Sequence, residues 1–360
     1  MVEYFINGRF LTQSLTGVQR YAFEMVRELD QLLAERSEEE FKVKFTILAP
    51  RANLTDLKLK KIRLKQVGWL GGYFWEQFEL PIFSAGSPLV NFGNICPLLK
   101  RNQFLTIHDM TVFRTPENFS LSFRMFYKIF FRLLKFKEVK LITISEFSRE
   151  EIKKILSPKH EPKVIYLGSD HLDRVSADNS IIEKANVKSG KYFLLVGSFS
   201  KNKNIDFAIK AFLQEKIKDF DLLIVCKSNY SVFQGNNEIT ERDNIKWVSD
   251  INDSQLKALY INAKSLIFPS LYEGFGLPPV EAIALGCDVL ISDISIHREI
   301  CGDRASYFNP NNLTSLINAI RISAETSIDQ AGKAKRALQI RNAFSWEKAA
   351  SQYLQVINGS

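Results

Sequence analysis

Short, almost unbroken apolar runs alternate along the chain with stretches whose apolar positions recur every three or four residues. Runs of the first kind span 2–6, 41–48, 89–93, 103–107, 141–146, 163–168, 192–197, 220–225, 245–249, 265–268 and 288–292, the lengths of buried strands. Stretches of the second kind follow them. In 17–29 the apolar residues fall at 18, 21, 22, 25, 26 and 29, a helical stripe. Helices are likewise expected at 122–137, after 148, and over 205–212, 253–260, 280–285, 297–300, 313–326 and from 345 onward. Strand and helix in turn predict an α/β fold with parallel sheets, since a helical crossover is what connects parallel neighbours. The pattern breaks once, over a polar, irregular stretch. This gives domains at 1–170 and 191–340, a linker at 171–190, and a last helix in 341–360.

At 360 residues, length alone favours two domains, and 46% hydrophobic with 24% charged residues is a globular composition. The net charge of +8 is unevenly placed: 1–170 holds 26 basic and 19 acidic residues, the remainder 22 and 21. A basic first half suits an anionic partner, whether nucleic acid, anionic lipid or a diphosphate-linked molecule. The four cysteines are scattered, without metal spacing or a disulfide framework, which favours a reducing, cytoplasmic compartment. No basic, apolar leader opens the chain, and no run of about 18 apolar residues is long enough to span a bilayer.

The richest chemistry lies at 265–286. A short apolar strand ends at Phe268, Gly274 and Gly276 loosen the backbone, and Pro278 and Pro279 suit the first turn of a helix that Gly286 ends. Strand, glycine loop and helix N-terminus make an anion site. Glu273 and Glu281 flank it. Carboxylates repel phosphate but accept hydrogen bonds from sugar or ribose hydroxyls. A second strand ends at His108 and Asp109, where ligands of open α/β sheets lie. Two more strand-to-helix loops could hold phosphate: one at Gly17, the other from Gly197 and Ser198 through Lys201, Asn202 and Lys203. Ser148, with Glu151 three residues on, reads as a helix cap. Finally, 122–137 is aromatic and carries only positive charges. Its Arg124, Lys128, Arg132 and Lys135 lie on one arc beside a broad apolar stripe, which suits either an anionic membrane surface or a core helix with extended cations.

The spacing of Glu273 and Glu281 around Gly-Phe-Gly-Leu-Pro resembles the donor-site motif of retaining, family-four glycosyltransferases of the GT-B fold. The resemblance implies two Rossmann-like, doubly wound domains facing across a cleft, 1–170 binding the acceptor and 191–340 the nucleotide sugar, with the last helix returning to the first domain. It implies that Glu273 contacts the donor sugar, that Glu281 binds the ribose, and that Gly274, Phe275, Gly276 and Leu277 lie at the sugar and diphosphate. It also sets His108 against the sugar, Gly17 and Lys203 near the phosphates and Val248 near the base, with the loop 226–241 close by. The arginine often found in these enzymes is Asn202 or Ser198 here, and Lys201 is its candidate replacement. The implied activity is metal-independent, retaining transfer of a hexose or deoxyhexose from a GDP-, UDP- or dTDP-linked donor. The acceptor would be a glycan or an undecaprenyl-diphosphate-linked molecule in bacterial surface-polysaccharide synthesis, such as O-antigen or capsule. No cofactor or divalent metal is expected, because no Asp-x-Asp motif appears. A peripheral position on the inner face of the cytoplasmic membrane fits such acceptors. The alternatives are a basic nucleic-acid-binding protein, a dinucleotide enzyme and a non-catalytic sugar-nucleotide binder. The first lacks a recognition module and the second a Gly-x-Gly-x-x-Gly after its first strand.

Overall fold

A computed structural model describes residues 2–36, 41–215, 219–226, 244–327 and 329–359. The chain divides into two compact units, Met1–Gly168 with Phe344–Ser360, and Ser169–Ala343.

The first unit is built on a seven-stranded parallel sheet. Its strands are β1 (Val2–Asn7), β2 (Val43–Ala49), β3 (Arg63–Gln66), β4 (Leu89–Asn91), β5 (Gln103–Ile107), β6 (Val139–Thr143) and β7 (Lys163–Val164), in the order β3-β2-β1-β4-β5-β6-β7. Register follows the apolar runs: Ile6 lies beside Ile47 on one side and Val90 on the other. β3 is the exposed edge, and its Arg63 and Lys65 discourage pairing with another chain. Pairing begins where the basic stretch 57–63 ends. The order reverses at β1, so β1 and β4 form the topological switch point, outside whose carboxyl ends ligands bind in open α/β sheets.

The closing helix Trp346–Asn358 belongs to this unit. Trp346 and Tyr353 are fully buried, Trp346 lies 6.0 Å from the Tyr21 ring, and the Tyr4 hydroxyl donates to the Ile357 carbonyl at 3.1 Å. The helix Glu146–Leu156 is capped by Ser145, which accepts from the Ser148 amide at 3.0 Å. Ser148 was the expected cap. Its hydroxyl instead donates to the His108 carbonyl at 2.9 Å, and Glu151 pairs with Arg114.

The second unit carries a six-stranded parallel sheet of β8 (Tyr192–Val196), β9 (Asp221–Val225), β10 (Ile245–Val248), β11 (Ser265–Phe268), β12 (Asp288–Ser292) and β13 (Ser306–Phe308), ordered β10-β9-β8-β11-β12-β13. Its switch point lies between β8 and β11. Phe193, Leu195, Ile224, Ile267 and Phe212 centre its core.

Residues 171–190 are not the irregular linker expected. They fold onto the second unit, with a 3-10 turn over Asp170–Arg174, a helix over Ser180–Lys184, and His171, Leu172, Ile181 and Val187 buried. Their apolar residues are too few to form a periodic stripe, yet Leu172, Ile181 and Val187 are buried. The helix Gln330–Ala343 was not foreseen, because only Ile340 of its residues is buried and no apolar face marks it. Both units are parallel-sheet α/β folds, as the alternation of strand and helix predicts.

Candidate functional site

The loops that leave β8 and β11 flank the second switch point, and each brings a charged side chain to it. Lys203 closes the 3-10 turn Lys201–Lys203 after β8. Glu273 sits five residues beyond the end of β11. The Lys203 Nζ lies 2.5 Å from the Glu273 Oε1, and 5.6 Å from the centre of the Phe268 ring. The cation expected for phosphate and the carboxylate expected for sugar are thus ion-paired. An ammonium has three donors, so one bond to Glu273 leaves capacity for an anion. Asn202 is buried and stitches the two loops. Its Nδ2 donates to the Tyr272 carbonyl at 3.3 Å, and its carbonyl accepts from the Leu271 amide at 2.7 Å. Lys201 is exposed on the same turn, and the Ser198 hydroxyl lies 3.3 Å from that of Ser200. Gly197 directly follows β8, and a Cβ there would stand 3.9 Å from the Lys203 stem.

The motif loop runs from Phe268 into the helix Leu277–Ala284. Gly276 caps that helix at φ +88°, in the left-handed region that favours glycine, and Pro278 and Pro279 lie in the first turn, where no N–H is needed. Phe275 and Gly274 are buried and Leu277 is half-buried. The helix dipole adds positive potential at this end. Glu281 is buried one turn on. Its Oε2 accepts from the Tyr260 hydroxyl at 2.8 Å and its Oε1 faces the His171 Nε2 at 3.0 Å. Two lone pairs per oxygen leave room for further hydroxyl donors. Val248, half-buried, ends β10 and accepts from the Cys226 amide at 3.2 Å. The rest of the loop expected near the base, 227–241, lies outside the described residues.

Sequence reasoning passed over His297. This side chain is 1% exposed, its ring 5.5 Å from Phe268. Its Nδ1 lies 2.8 Å from the Ser292 carbonyl and therefore carries the proton. Nε2 is then an acceptor, it has no hydrogen-bond partner, and it lies 3.8 Å from where a Cβ on Gly276 would stand. Burial, only partly offset by the Ser292 carbonyl and Glu273, depresses its pKa to about 4, so the ring is neutral. Ser292 also donates to the Phe268 and Ser270 carbonyls, at 3.1 and 2.6 Å, which fixes the start of the motif loop. A lone histidine in a helix start carries no sequence signal; only the pairing of β11 with β12 gives it meaning.

In the first unit, His108 follows β5 and is 4% exposed. Its Nε2 is 2.8 Å from the Phe92 carbonyl, its ring packs edge-on to Tyr21 at 4.8 Å, and its amide donates to the Asn94 Oδ1 at 2.7 Å. Burial lowers its pKa, against the Phe92 carbonyl and Asp109. The proton sits on Nε2, leaving Nδ1 as acceptor. Gly17 opens the helix Gly17–Glu35 after Thr16, with open space where a Cβ would go. Arg124, Lys128, Arg132 and Lys135 lie along and just beyond the helix Leu121–Leu134. Among the described residues, no group of three or more His, Cys, Asp or Glu is placed to hold a metal ion, and no helix is long and apolar enough to cross a membrane.

Residues 177–339 match the model of the family Glycosyl transferases group 1. Over 343 residues the chain is 28% identical to the O-antigen chain mannosyltransferase RfbU of Salmonella typhimurium, covering 88% of this chain and 89% of that one. Among solved structures it is similar to WaaG, a glycosyltransferase involved in lipopolysaccharide biosynthesis, with TM-score 0.72, 16% identity and full coverage of both chains. It is also similar to HepE of Anabaena in complex with UDP and glucose, with TM-score 0.73, 14% identity and full coverage of both.

Proposed function

From the premise that this chain is a glycosyltransferase carrying a group 1 domain over 177–339, we propose that it transfers mannose, with retention, from a nucleotide sugar to a glycan or lipid-linked acceptor of surface polysaccharide. The observation that carries this reading is the Lys203–Glu273 pair beside the Gly276-capped helix, at the switch point of the second sheet. The mannosyl lean is supported by the name of the Salmonella typhimurium relative.

In this reading Lys203 and the helix N-terminus take up the negative charge that grows on the departing diphosphate, the main electrostatic task of the step. Glu273 and the neutral His297 Nε2 accept from sugar hydroxyls, and Glu281, oriented by Tyr260 and His171, accepts from the ribose. No carboxylate is assigned as a covalent nucleophile. Departure and attack then take place on the same face of the sugar, without a divalent ion.

The proposal extends to an anionic membrane surface. Tyr127, Phe130, Phe131 and Leu134 bury one side of the helix Leu121–Leu134 in the core. The other side exposes Leu121, Met125, Ile129 and Leu133 beside Lys128 and Arg132. Tyr73 packs 5.4 Å from Phe126 and joins this face to a second exposed aromatic group, Trp69, Phe74 and Phe78. An apolar patch rimmed by cations fits anionic headgroups over acyl chains.

A panel of GDP-mannose, UDP-glucose and dTDP-rhamnose scored by melting temperature tests the donor, since a ligand of the native state raises apparent stability. One member should stabilise the protein and yield, with excess chelator present, a product of unchanged anomeric configuration by NMR. An inverted anomer, or turnover abolished by the chelator, would refute the mechanism.

A further inference from the structure

We propose that the hydroxyls of Tyr21, Thr106 and Tyr353 hold one internal water molecule in the first unit, and that through this joint the closing helix positions the His108 ring. The water site stands apart from the glycosyl-transfer reading; only the use made of His108 rests on it.

The three hydroxyls come from three elements: Tyr21 from the helix Gly17–Glu35, Thr106 from β5 and Tyr353 from the closing helix Trp346–Asn358. All three residues are 0% exposed. Among the described residues, none of the three oxygens has a hydrogen-bond partner. They nevertheless face one another. Burial drives the pKa of both phenols up, Tyr21 adds to the rise at Tyr353, and the Thr106 hydroxyl opposes it at each. Thr106 thus lies close to both phenols without meeting either at bonding geometry.

A buried hydroxyl left unpaired costs its full desolvation, and three of them weigh heavily in a fold of marginal stability. Phenylalanine and valine would give the joint the same shape without that cost. The polar set therefore calls for a partner, and its chemistry is narrow. Each hydroxyl is both donor and acceptor, and burial disfavours ionising the phenols, so the partner is neutral and does both as well. An internal water makes about three hydrogen bonds to groups that otherwise have none, which is the number offered here. Full burial of all three side chains suits a solvent molecule rather than a larger solute.

The joint lies beside His108. Alternation along the strand puts Thr106 and the following His108 on one face. Tyr21 links them: its hydroxyl faces the joint, and its ring packs edge-on to His108 at 4.8 Å. Phe92, whose carbonyl accepts from the His108 Nε2, packs 5.8 Å from the Tyr21 ring and 5.3 Å from that of Tyr353. The imidazole is therefore wedged by rings that the closing helix holds through one hydroxyl joint. Tyr21 and Tyr353 act as positioning residues, fixing where the free Nδ1 acceptor stands.

The full-length wild type is compared with Tyr21→Phe, Tyr353→Phe, Thr106→Val and Leu354→Val by high-resolution crystallography, melting temperature and the NMR shifts of the His108 ring protons. In the wild type one water should lie within about 3.2 Å of all three hydroxyl oxygens. Each hydroxyl deletion should lower the melting temperature by about 2–4 °C, the scale of one lost hydrogen bond in a unit of this size. Without a bound water the sign reverses, because deletion then removes an unpaired buried group. Tyr353→Phe should also move the His108 ring-proton shifts, which the facing Tyr21 ring sets. Leu354→Val loosens the same helix without touching a hydroxyl and should leave them in place. Should Tyr353→Phe fail to fold, Thr106→Val carries the same test. Hydroxyls bonded directly to one another with no water between them, a melting temperature raised by the deletions, or His108 shifts that move equally in Leu354→Val overturn the proposal. None of these readouts uses turnover, so a chain with the water in place and no transferase activity would overturn the glycosyl-transfer reading alone.

Discussion

Glu273 and Lys203 lie 70 residues apart in sequence and 2.5 Å apart in the fold. Their chemistry was legible: a carboxylate and a cation, each in a glycine-bearing loop after a strand. Their pairing was not, because it depends on β8 lying next to β11. Replacing either should leave the fold intact, since both sit at a partly exposed loop surface. Glu273→Gln and Lys203→Ala should each lower kcat/KM about 100-fold, the scale for losing one preorganised charge contact. Wild-type turnover in either variant would remove the pair from the mechanism. His297 leads to a pH prediction. Its folded pKa of about 4 lies below the ordinary 6.5, so folding favours the neutral ring. That contribution is intact above pH of about 6.5 and is lost as pH falls towards about 4, on the order of 3 kcal/mol in all. Urea midpoints should therefore drop more steeply over that window in the wild type than in His297→Phe. Parallel curves would contradict the buried, neutral assignment.

Element periodicity predicted most strands correctly, because a parallel sheet covered on both faces needs near-continuous apolar runs. It failed where burial is sparse. Residues 171–190 place only a few side chains in the core, so nothing periodic announces them, yet His171 among them reaches Glu281. The helix Leu121–Leu134 was ambiguous for the opposite reason: it is apolar on two sides. Its inner side is core, as the core-helix alternative had it, and its outer side remains exposed. Ile129→Asp with Leu133→Asp alters only exposed positions. It should change stability by no more than about 1 kcal/mol, while co-sedimentation with anionic vesicles falls about tenfold or more. Vesicle binding that survives these changes and is insensitive to salt would exclude this face as the docking surface.

For the whole molecule, 360 residues and one break in the pattern gave two α/β units; that the last helix returns to the first of them came from the resemblance, not from the pattern. The closing helix completes the first unit by burying Trp346, Tyr353, Leu354 and Ile357. Each such side chain contributes about 1.5–3 kcal/mol, against total stabilities of about 5–15 kcal/mol. Ending the chain at Ala343 should therefore unfold the first unit, seen as lost near-ultraviolet dichroism and rapid proteolysis of residues 1–168, while peptides from 169–343 stay protected. The basic excess of the first half includes Arg124, Lys128, Arg132 and Lys135, along and just beyond the helix Leu121–Leu134. The most direct check on the central assignment is calorimetric titration of GDP-mannose, UDP-glucose and dTDP-rhamnose into the wild type and into Glu273→Gln. Saturable binding of one of them to the wild type, weakened at least about tenfold by the substitution, is the expected result; equal affinity in the two proteins, or no binding of any to the wild type, would contradict it.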